Sequence, residues 1–218
     1  MPVAVTPAQR TQLDRFLELL LEANSRFNLT ALRERDVAWE RHVVESLRLV
    51  PLLGEVRTLL DVGSGGGLPG LVLAIARPET AVTLLESSEK KARFLTETSE
   101  ALGLTNVRVD CRRAESAAAP GEHLRESFEL VTARAVAALP VLLELTVPFL
   151  RVGGRVLAVK GERANEELAA AQQAQRALHV ELEMSERHPS ATVLIFIKRG
   201  ATPEQFPRRS GEPNRRPL

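Results

Sequence analysis

Apolar residues in the first fifty positions recur at the spacing of helices. The first stripe contains four residues, Leu13, Phe16, Leu17 and Leu20. It follows Thr6-Pro7-Ala8-Gln9, which has the form of a capping box with proline at the first helical position. Further apolar residues at helical spacing predict a second helix from about 36 to 50, ended by Pro51. We therefore expect two amphipathic helices in the N-terminal part.

From Arg57 onward, short apolar runs alternate with helical stretches. The predicted strands cover residues 58–61, 82–86, 107–110, 128–132, 155–160, 180–186 and 192–198, with a turn at Gly153-Gly154 before the fifth. The predicted helices between them cover residues 70–76, 89–102, 139–150 and 163–176. Such alternation implies a parallel sheet with right-handed crossovers, whereas the last two strands are too close together for a crossover helix and should pair antiparallel. The predicted fold is α/β, a mostly parallel seven-stranded sheet with an antiparallel final strand, plus the N-terminal helices.

The first strand runs into a glycine-rich turn that opens a helix. Gly65, Gly67 and Gly70 satisfy G-x-G-x-x-G, in which missing Cβ atoms allow a sharp turn and close approach to a ligand. The pattern by itself suits a dinucleotide enzyme as well as other nucleotide-type sites, and some glycine turns bind nothing. The turn therefore marks a candidate cofactor site without naming the cofactor.

Acidic residues at two strand ends narrow the choice of cofactor. Asp61 stands where a dinucleotide would place its pyrophosphate, and this pairing is repulsive. The sulfonium and ammonium of S-adenosylmethionine suit a carboxylate better. Alternatively, Asp61 accepts backbone N–H bonds within the turn. Glu86, sixteen residues after Gly70, is placed to reach ribose hydroxyls, and Ser87 and Ser88 are candidate N-caps of the next helix.

Composition limits the remaining possibilities. The chain has 218 residues, 44% of them hydrophobic, enough for one main domain and an appendage. Its single cysteine, Cys111, excludes an internal disulfide and a cysteine zinc cluster, and we expect it to be a small buried residue. No metal site, membrane span or signal peptide is expected, which favours the cytoplasm. The net charge of +1 is uninformative, but the segment from Lys198 onward contains six basic and only two acidic residues and is therefore basic.

Several motifs along nearly the whole chain match one known family. They are Asn28-Leu29-Thr30, Arg41-His42 with Ser46, the turn from Asp61 to Gly70, Arg113-Ala114-Glu115, Ala133-Arg134-Ala135, Lys160-Gly161 and the segment from Phe206 to Leu218. With these motifs the chain resembles the RsmG (GidB) family of bacterial methyltransferases, which methylate N7 of one guanine in small-subunit (16S) ribosomal RNA. The resemblance implies a Rossmann-like class I methyltransferase fold with S-adenosylmethionine as methyl donor.

The resemblance also implies roles for individual residues. Together with the residue-based argument, it predicts a cofactor site made of Asp61, Gly63, Gly65, Leu68, Glu86, Ser87, Ser88, Ala114, Glu115 and Arg134. Within this set, Gly63 and Leu68 would border the methionine and adenosine parts, Glu86 and the two serines would hold the ribose, and Ala114 and Glu115 would flank the adenine. Arg134 would lie where the donor methyl meets the target.

The chemistry of guanine N7 sets what these residues must do. N7 has an in-plane lone pair and no proton, so the attack needs no general base and positioning should dominate. We expect Arg134 to contact O6, a phosphate or the donor carboxylate, because N7 must stay free. The alternative for Arg134 is a structural salt bridge. His42 is expected to be a structural histidine bonding Ser46 or the glycine turn rather than a base, with direct RNA contact as the alternative.

Binding of RNA is assigned to basic residues, since aromatic stacking candidates are few. The predicted RNA-binding residues are Arg41, His42, Lys160, Arg208 and Arg209, with Arg26, Arg33 and Arg35 as further candidates. Lys160 could instead pair with a carboxylate, and the basic tail could be a solvated terminus. The predicted organisation is an N-terminal helical extension (1–52), a methyltransferase domain (53–200) and a basic tail (201–218).

The predicted partner is small-subunit ribosomal RNA or the small ribosomal subunit, with the protein acting as a monomer. Three alternatives stay open on the sequence. They are a small-molecule methyltransferase, a non-catalytic ribosome-assembly factor and, less favoured by the charges, a nicotinamide dehydrogenase.

Overall fold

Seven strands of residues 4–218, the part of the chain that the computed structural model describes, form one sheet in the order β3-β2-β1-β4-β5-β7-β6. They are β1 (Thr58–Val62), β2 (Ala81–Leu85), β3 (Val107–Asp110), β4 (Phe128–Arg134), β5 (Leu150–Lys160), β6 (Val180–Arg187) and β7 (Thr192–Lys198). The pairs from β3 to β5 are parallel, and β7 is antiparallel to both β5 and β6. This confirms the predicted sheet and brings the carboxyl ends of β1, β2 and β4 together.

Helices cover both faces of the sheet. They are α1 (Pro7–Asn24), α2 (Arg35–Ala38), α3 (Glu45–Leu47), α4 (Val50–Leu53), α5 (Gly70–Ala76), α6 (Glu89–Ala101), α7 (Ala114–Ala117), α8 (Leu139–Thr146), α9 (Ala164–Ala170), α10 (Gln172–Ala177) and α11 (Glu212–Arg215). Neighbouring residues in a strand point to opposite faces, so Leu59 packs in one hydrophobic cluster with α1 and α5. Leu60 packs in a second cluster with α8 and α10.

The N-terminal helices pack directly on the sheet and on the glycine turn (residues 63–70). The capping box of α1 is present, with the Thr6 hydroxyl accepting from the Gln9 N–H and the Gln9 side chain accepting from the Thr6 N–H. The apolar stripe of α1 is fully buried. Leu20 and Leu29 lie against Gly66, where an added Cβ would come within 2.9 Å of the Leu20 side chain. This packing fixes the position of the glycine turn relative to the N-terminal helices.

The prediction of a single continuous second helix is wrong. Instead of one helix over 36–50, α2 leads into a π-helical segment (Trp39–Val44), then α3 and, after a turn, α4. Pro51 stands in the first turn of α4 and does not end a helix, because the N–H that proline lacks has no helical partner at that position.

Three further boundaries differ from the predictions. The helix predicted over 139–150 ends at Thr146, since Pro148 follows in a 3₁₀ turn (Val147–Phe149). The strand β5 begins at Leu150, so the predicted glycine turn lies inside β5, where the pairing with β4 shifts register. The helix predicted over 163–176 is divided at Ala171 into α9 and α10.

Residues of the tail pack against the domain. Phe206 is buried in the same hydrophobic cluster as α8, and Leu218 packs against that cluster. Pro213 in α11 is also buried. The tail is therefore docked rather than solvated. The boundaries at 52/53 and 200/201 stay predictions.

Candidate active site

The glycine turn begins where β1 ends. Gly63 and Gly65 have φ angles of +71° and +53°, a region that residues with a Cβ rarely adopt. The Gly63 N–H donates to the Leu85 carbonyl at 2.8 Å and thereby ties the turn to the end of β2. The backbone of the turn is thus fixed by the neighbouring strand, and its conformation requires glycine.

Glu86 follows β2 and lies beside the glycine turn. Its Oε2 accepts from the Gly65 N–H at 3.0 Å, and its Oε1 accepts from the Ser88 N–H at 2.8 Å. Ser88 stands at the N-cap of α6, but its side chain makes no capping bond. The Glu86 side chain, and not that of Ser88, therefore makes the hydrogen bond at the start of α6. Its carboxylate joins the glycine turn to this helix.

Asp61 lies inside the protein. Its side chain accepts from the Thr132 hydroxyl at 2.8 Å and from the Gly70 N–H at 3.2 Å, and the residue is 1% exposed. Burial raises the pKa of Asp61 to about 6, against the hydrogen bonds that lower it. This geometry matches the alternative in which Asp61 accepts N–H bonds within the turn. Glu86, not Asp61, is the carboxylate that contacts the Gly65 N–H.

A small cleft of about 80 Å³ opens at these strand ends. It is lined by Val62, Gly63, Leu85, Ser87, Arg112, Arg113, Ala114, Glu115, Val136 and Leu145. The Val136 side chain covers Gly63, and a Cβ on that glycine would come within 2.8 Å of it. The cleft thus brings together Gly63, Ser87, Ala114 and Glu115 of the predicted set, while Leu68 lies half-buried in the turn. The other predicted residues are not among its lining residues: Asp61, Gly65, Glu86, Ser88 and Arg134.

Sequence reasoning missed Arg112 in the lining. Its guanidinium donates to both carboxylate oxygens of Asp110, at 2.8 and 2.9 Å, and to Glu122 at 2.8 Å. These bonds raise the pKa of Arg112 and hold it in one orientation. The only signal in the sequence was the acidic residue at the end of β3, two positions away.

The residues present fit a nucleoside with a ribose diol. A Cβ on Gly65 would meet only the Gly63 carbonyl oxygen, at 3.7 Å, so the turn can be approached closely. Glu86 stands between the lining residues Leu85 and Ser87, and each of its carboxylate oxygens already accepts one backbone N–H bond and keeps a further lone pair. Ala114, Val136 and Leu145 form an apolar wall suited to a purine.

Arg134 ends β4 and is held by the N-terminal helices. Its Nη2 donates to the Arg41 carbonyl at 2.9 Å and lies 3.7 Å from Oε2 of Glu45. Glu45 also pairs with the Arg41 side chain at 3.3 Å and accepts from the Ser190 hydroxyl. The salt-bridge alternative for Arg134 is therefore present, and 21% of its side chain remains exposed.

His42 is buried, and its contacts differ from those expected. Its Nε2 lies 2.7 Å from the Thr30 hydroxyl, while Ser46 donates to the His42 carbonyl at 2.5 Å rather than to the ring. Burial, followed by the charge of Arg134, lowers the pKa of His42 to about 4. The ring is therefore neutral at pH 7.

The basic residues predicted to bind RNA fall into two groups. Lys160 is buried and pairs with Glu167 at 2.7 Å, which is the carboxylate alternative. Arg208 makes a bidentate pair with the fully buried Glu144, its closest contact being 2.5 Å. The Arg41 side chain is 50% exposed, and Arg209 is exposed. Exposure therefore leaves Arg41 and Arg209 as the stronger candidates.

Cys111 is exposed, so its predicted burial is wrong. It follows the last residue of β3, Asp110, whose side chain is the one turned inward to bind Arg112. Among residues 4–218, no group of three or more His, Cys, Asp or Glu side chains could hold a metal ion. Within the same residues, no helix has the length and apolar character needed to span a membrane.

Similarity to known proteins identifies the family of this chain. A family model described as GidB, rRNA small subunit methyltransferase G, matches residues 9–191. The chain belongs to this family. A ribosomal RNA small subunit methyltransferase G of Sorangium cellulosum (strain So ce56) is 46% identical over 213 residues, 95% of this chain and 87% of the relative. One of Chloroflexus aggregans (strain MD-66 / DSM 9485) is 44% identical over 99% of this chain and 93% of the relative.

Solved structures show the same fold. The O-methyltransferase from Bacillus cereus in complex with SAH matches with a TM-score of 0.60 and 19% identity, over 84% of this chain and 90% of that one. M. jannaschii TYW2 in complex with AdoMet matches with a TM-score of 0.52 and 18% identity, over 70% and 73% of the two chains. The predicted class I methyltransferase fold is confirmed.

Proposed function

We propose that this protein transfers a methyl group from S-adenosylmethionine to N7 of one guanine in 16S ribosomal RNA. The observation that carries the proposal is the match to the family over residues 9–191, together with relatives 44–46% identical over nearly the whole chain. The cleft between the glycine turn and α7 supports it, because its residues suit a nucleoside. The choice of N7 follows the family.

The residues of the cleft would hold the donor in a defined orientation. When bound, S-adenosylmethionine supplies a methyl group on a sulfonium, which is electrophilic towards a ring nitrogen. Glu86 would hold the ribose hydroxyls, and Ala114 with Glu115 would flank the adenine. Asp61 would act indirectly, because it fixes Gly70 and Thr132 inside the protein.

The target side of the site needs positioning rather than proton transfer. Guanine N7 has a free lone pair, so no residue has to remove a proton in the methylation step. The neutral His42 agrees with this, since nothing holds it as a charged acid at pH 7. Arg134, fixed by the Arg41 carbonyl and Glu45, can present its exposed part to guanine O6 or to a phosphate.

The direct test is methylation of small ribosomal subunits that lack the modification. We expect labelled S-adenosylmethionine to transfer its methyl group to one guanine, mapped by cleavage at 7-methylguanosine. Label at another base or another guanine atom would contradict the N7 assignment. Donor binding without label in any RNA would favour a small-molecule substrate, and no donor binding would favour an assembly factor.

Exposed basic residues are proposed to bind the RNA. Contacts to phosphates release counterions, so the affinity should fall steeply between low and moderate salt. A flat affinity over this range would show that the surface around Arg41 and Arg209 is wrongly assigned. That the protein is a monomer and acts in the cytoplasm also stays a prediction, which light scattering and cell fractionation would check.

A further inference from the structure

The wall of the cleft opposite the glycine turn is a very short helix. α7 has four residues, and its first two, Ala114 and Glu115, line the cleft. A single turn of helix is not stable by itself, because nucleation costs more than one hydrogen bond returns. The position of this wall must therefore be set by contacts from elsewhere in the chain.

One such contact comes from the tail, ninety-six positions away. The Glu115 carboxylate accepts from the Gly211 N–H at 2.9 Å and is almost fully buried. Gly211 has a φ of +78°, which the turn before α11 requires. The same Glu115 oxygen also pairs with the Arg113 side chain at 3.3 Å, so Glu115 joins the tail to the cleft lining, where Arg113 and Ala114 also lie.

A second contact holds the other end of α7. Arg125 donates to the carbonyl of Ala118, the residue after α7, at 2.8 Å. The same guanidinium donates to the carbonyls of Phe206 at 2.7 Å, Thr202 at 2.9 Å and Pro203 at 3.3 Å. One arginine thus joins the end of α7 to three backbone groups of the tail.

Apolar packing extends the same connection to the glycine turn. Ala117 and Phe206 are buried in one hydrophobic cluster, against which Ala114 and Val136 also pack. Val136 covers Gly63 across the cleft. Displacing the tail would therefore loosen both α7 and the side chain that lies over the turn.

We propose that the tail is a structural part of the cofactor site: docking of the Gly211 turn on Glu115 sets the wall that receives the adenine. Glu115 is then a positioning residue, and cofactor affinity depends on tail docking. The inference rests on the proposed function, since it takes this cleft to be the S-adenosylmethionine site. It also gives the basic tail a role apart from RNA.

Linkage makes the dependence reciprocal. If tail docking favours the cofactor, the cofactor must favour tail docking by the same factor. Trypsin can cut after Arg209 and Arg215, both exposed. S-adenosylhomocysteine should therefore slow tryptic cleavage after Arg209 in the unaltered chain.

Variants at two left-handed glycines test the dependence on tail docking. Gly211→Pro removes the donor to Glu115 and also excludes the φ of +78°, so it releases the turn, whereas Gly211→Ala keeps the donor and only strains the turn. Gly103→Ala is the matched control, because Gly103 has a φ of +66°, has nothing within 4 Å of an added Cβ and follows Leu102, the C-cap of α6. The affinity for S-adenosylhomocysteine is measured by calorimetry and the melting temperature by differential scanning calorimetry.

We expect Gly211→Pro to raise the Kd for S-adenosylhomocysteine about tenfold, as for loss of a hydrogen bond to a charged group. Gly211→Ala should raise it less, and Gly103→Ala should leave it unchanged while lowering the melting temperature like Gly211→Ala. Equal affinity in all three variants, or cleavage after Arg209 that S-adenosylhomocysteine does not slow, would overturn the inference. The cleavage experiment decides even if Gly211→Pro does not fold. An unaltered chain that binds no S-adenosylhomocysteine would instead contradict the proposed function.

Discussion

The two walls of the cleft are held by contacts of very different sequence range. On the glycine-turn wall, Glu86 binds the N–H groups of Gly65 and Ser88, which are twenty-one and two positions away. On the opposite wall, Glu115 binds Gly211 at a separation of ninety-six. The first wall can form once β1 and β2 pair, whereas the second needs the whole chain in place. Substitutions on the first wall should therefore change mainly binding, and those that release the tail should also change stability.

The largest effect is expected from Arg208→Ala in the tail. The substitution leaves the fully buried Glu144 carboxylate without its charged partner and with only the backbone N–H of residue 208, which should cost about 3–5 kcal/mol of unfolding free energy. Urea denaturation measures it. The neighbouring Arg209→Ala is the control, because Arg209 is exposed and its loss should affect only RNA affinity. Equal stability of the two variants would show that the tail is not a structural element.

On the glycine-turn wall, Glu86→Ala should weaken binding of S-adenosylhomocysteine about a hundredfold. The reason is that the carboxylate proposed to hold the ribose is lost, together with its bond to the Gly65 N–H. Calorimetric titration measures the affinity. Glu89→Ala, at an exposed position in the first turn of α6, should bind like the unaltered chain. A Glu86→Ala variant with full affinity would remove this residue from the proposed site.

Outside the two walls, Arg134→Ala should lower kcat for RNA methylation by about ten- to hundredfold. Arg134 is expected to position the target, so the affinity for S-adenosylhomocysteine should change little. Arg163→Ala, at an exposed position after β5, serves as control. Methyl transfer at the unaltered rate would mean that Arg134 is only a salt-bridge partner of Glu45.

The smallest effect concerns pH. His42 has an ordinary pKa of 6.5, lowered to about 4 in the folded state, so the stability it contributes is present above pH 6.5 and is lost as the pH falls towards 4. His42→Gln should remove about 1–3 kcal/mol of this pH dependence, as measured by urea denaturation.

Asp61 acts in the opposite direction over nearly the same pH range. Its pKa rises from 3.8 to about 6 on folding, so its contribution is largest below pH 4 and is lost as the pH rises through 6. Asp61→Asn should therefore steepen the loss of stability in acid. If both variants had the same dependence of stability on pH as the unaltered chain, neither pKa would be displaced by folding.

Local patterns in the chain predicted the glycine-turn wall well and the rest less well. Strands from β1 to β3, the start of α5 at Gly70 and the position of Glu86 follow from apolar runs, glycines and acidic residues that are neighbours in sequence. Asp61 and Cys111 show the limit. Each is a strand-end residue, and whether its side chain points inward depended on partners such as Thr132 that no local pattern displays.

The tail shows the same limit at longer range. Its basic residues indicated either solvent or RNA, but Arg208 is paired with Glu144, and Arg125 donates to the Phe206 carbonyl of the tail. The sequence shows which residues are positive or negative, but it does not show which of them pair with each other. Arg134 is a similar case, because Glu45 could be recognised as its partner only when β4 and α3 were placed side by side.

The sequence by itself determined the order of strands and helices, the glycine turn and the acidic residue at its edge, because these depend on side-chain periodicity and on backbone conformations that only glycine adopts readily. Tertiary structure alone decided which charged residues form ion pairs inside the protein and which remain exposed. A buried charge needs a partner, and that partner is supplied by packing between segments far apart in the chain.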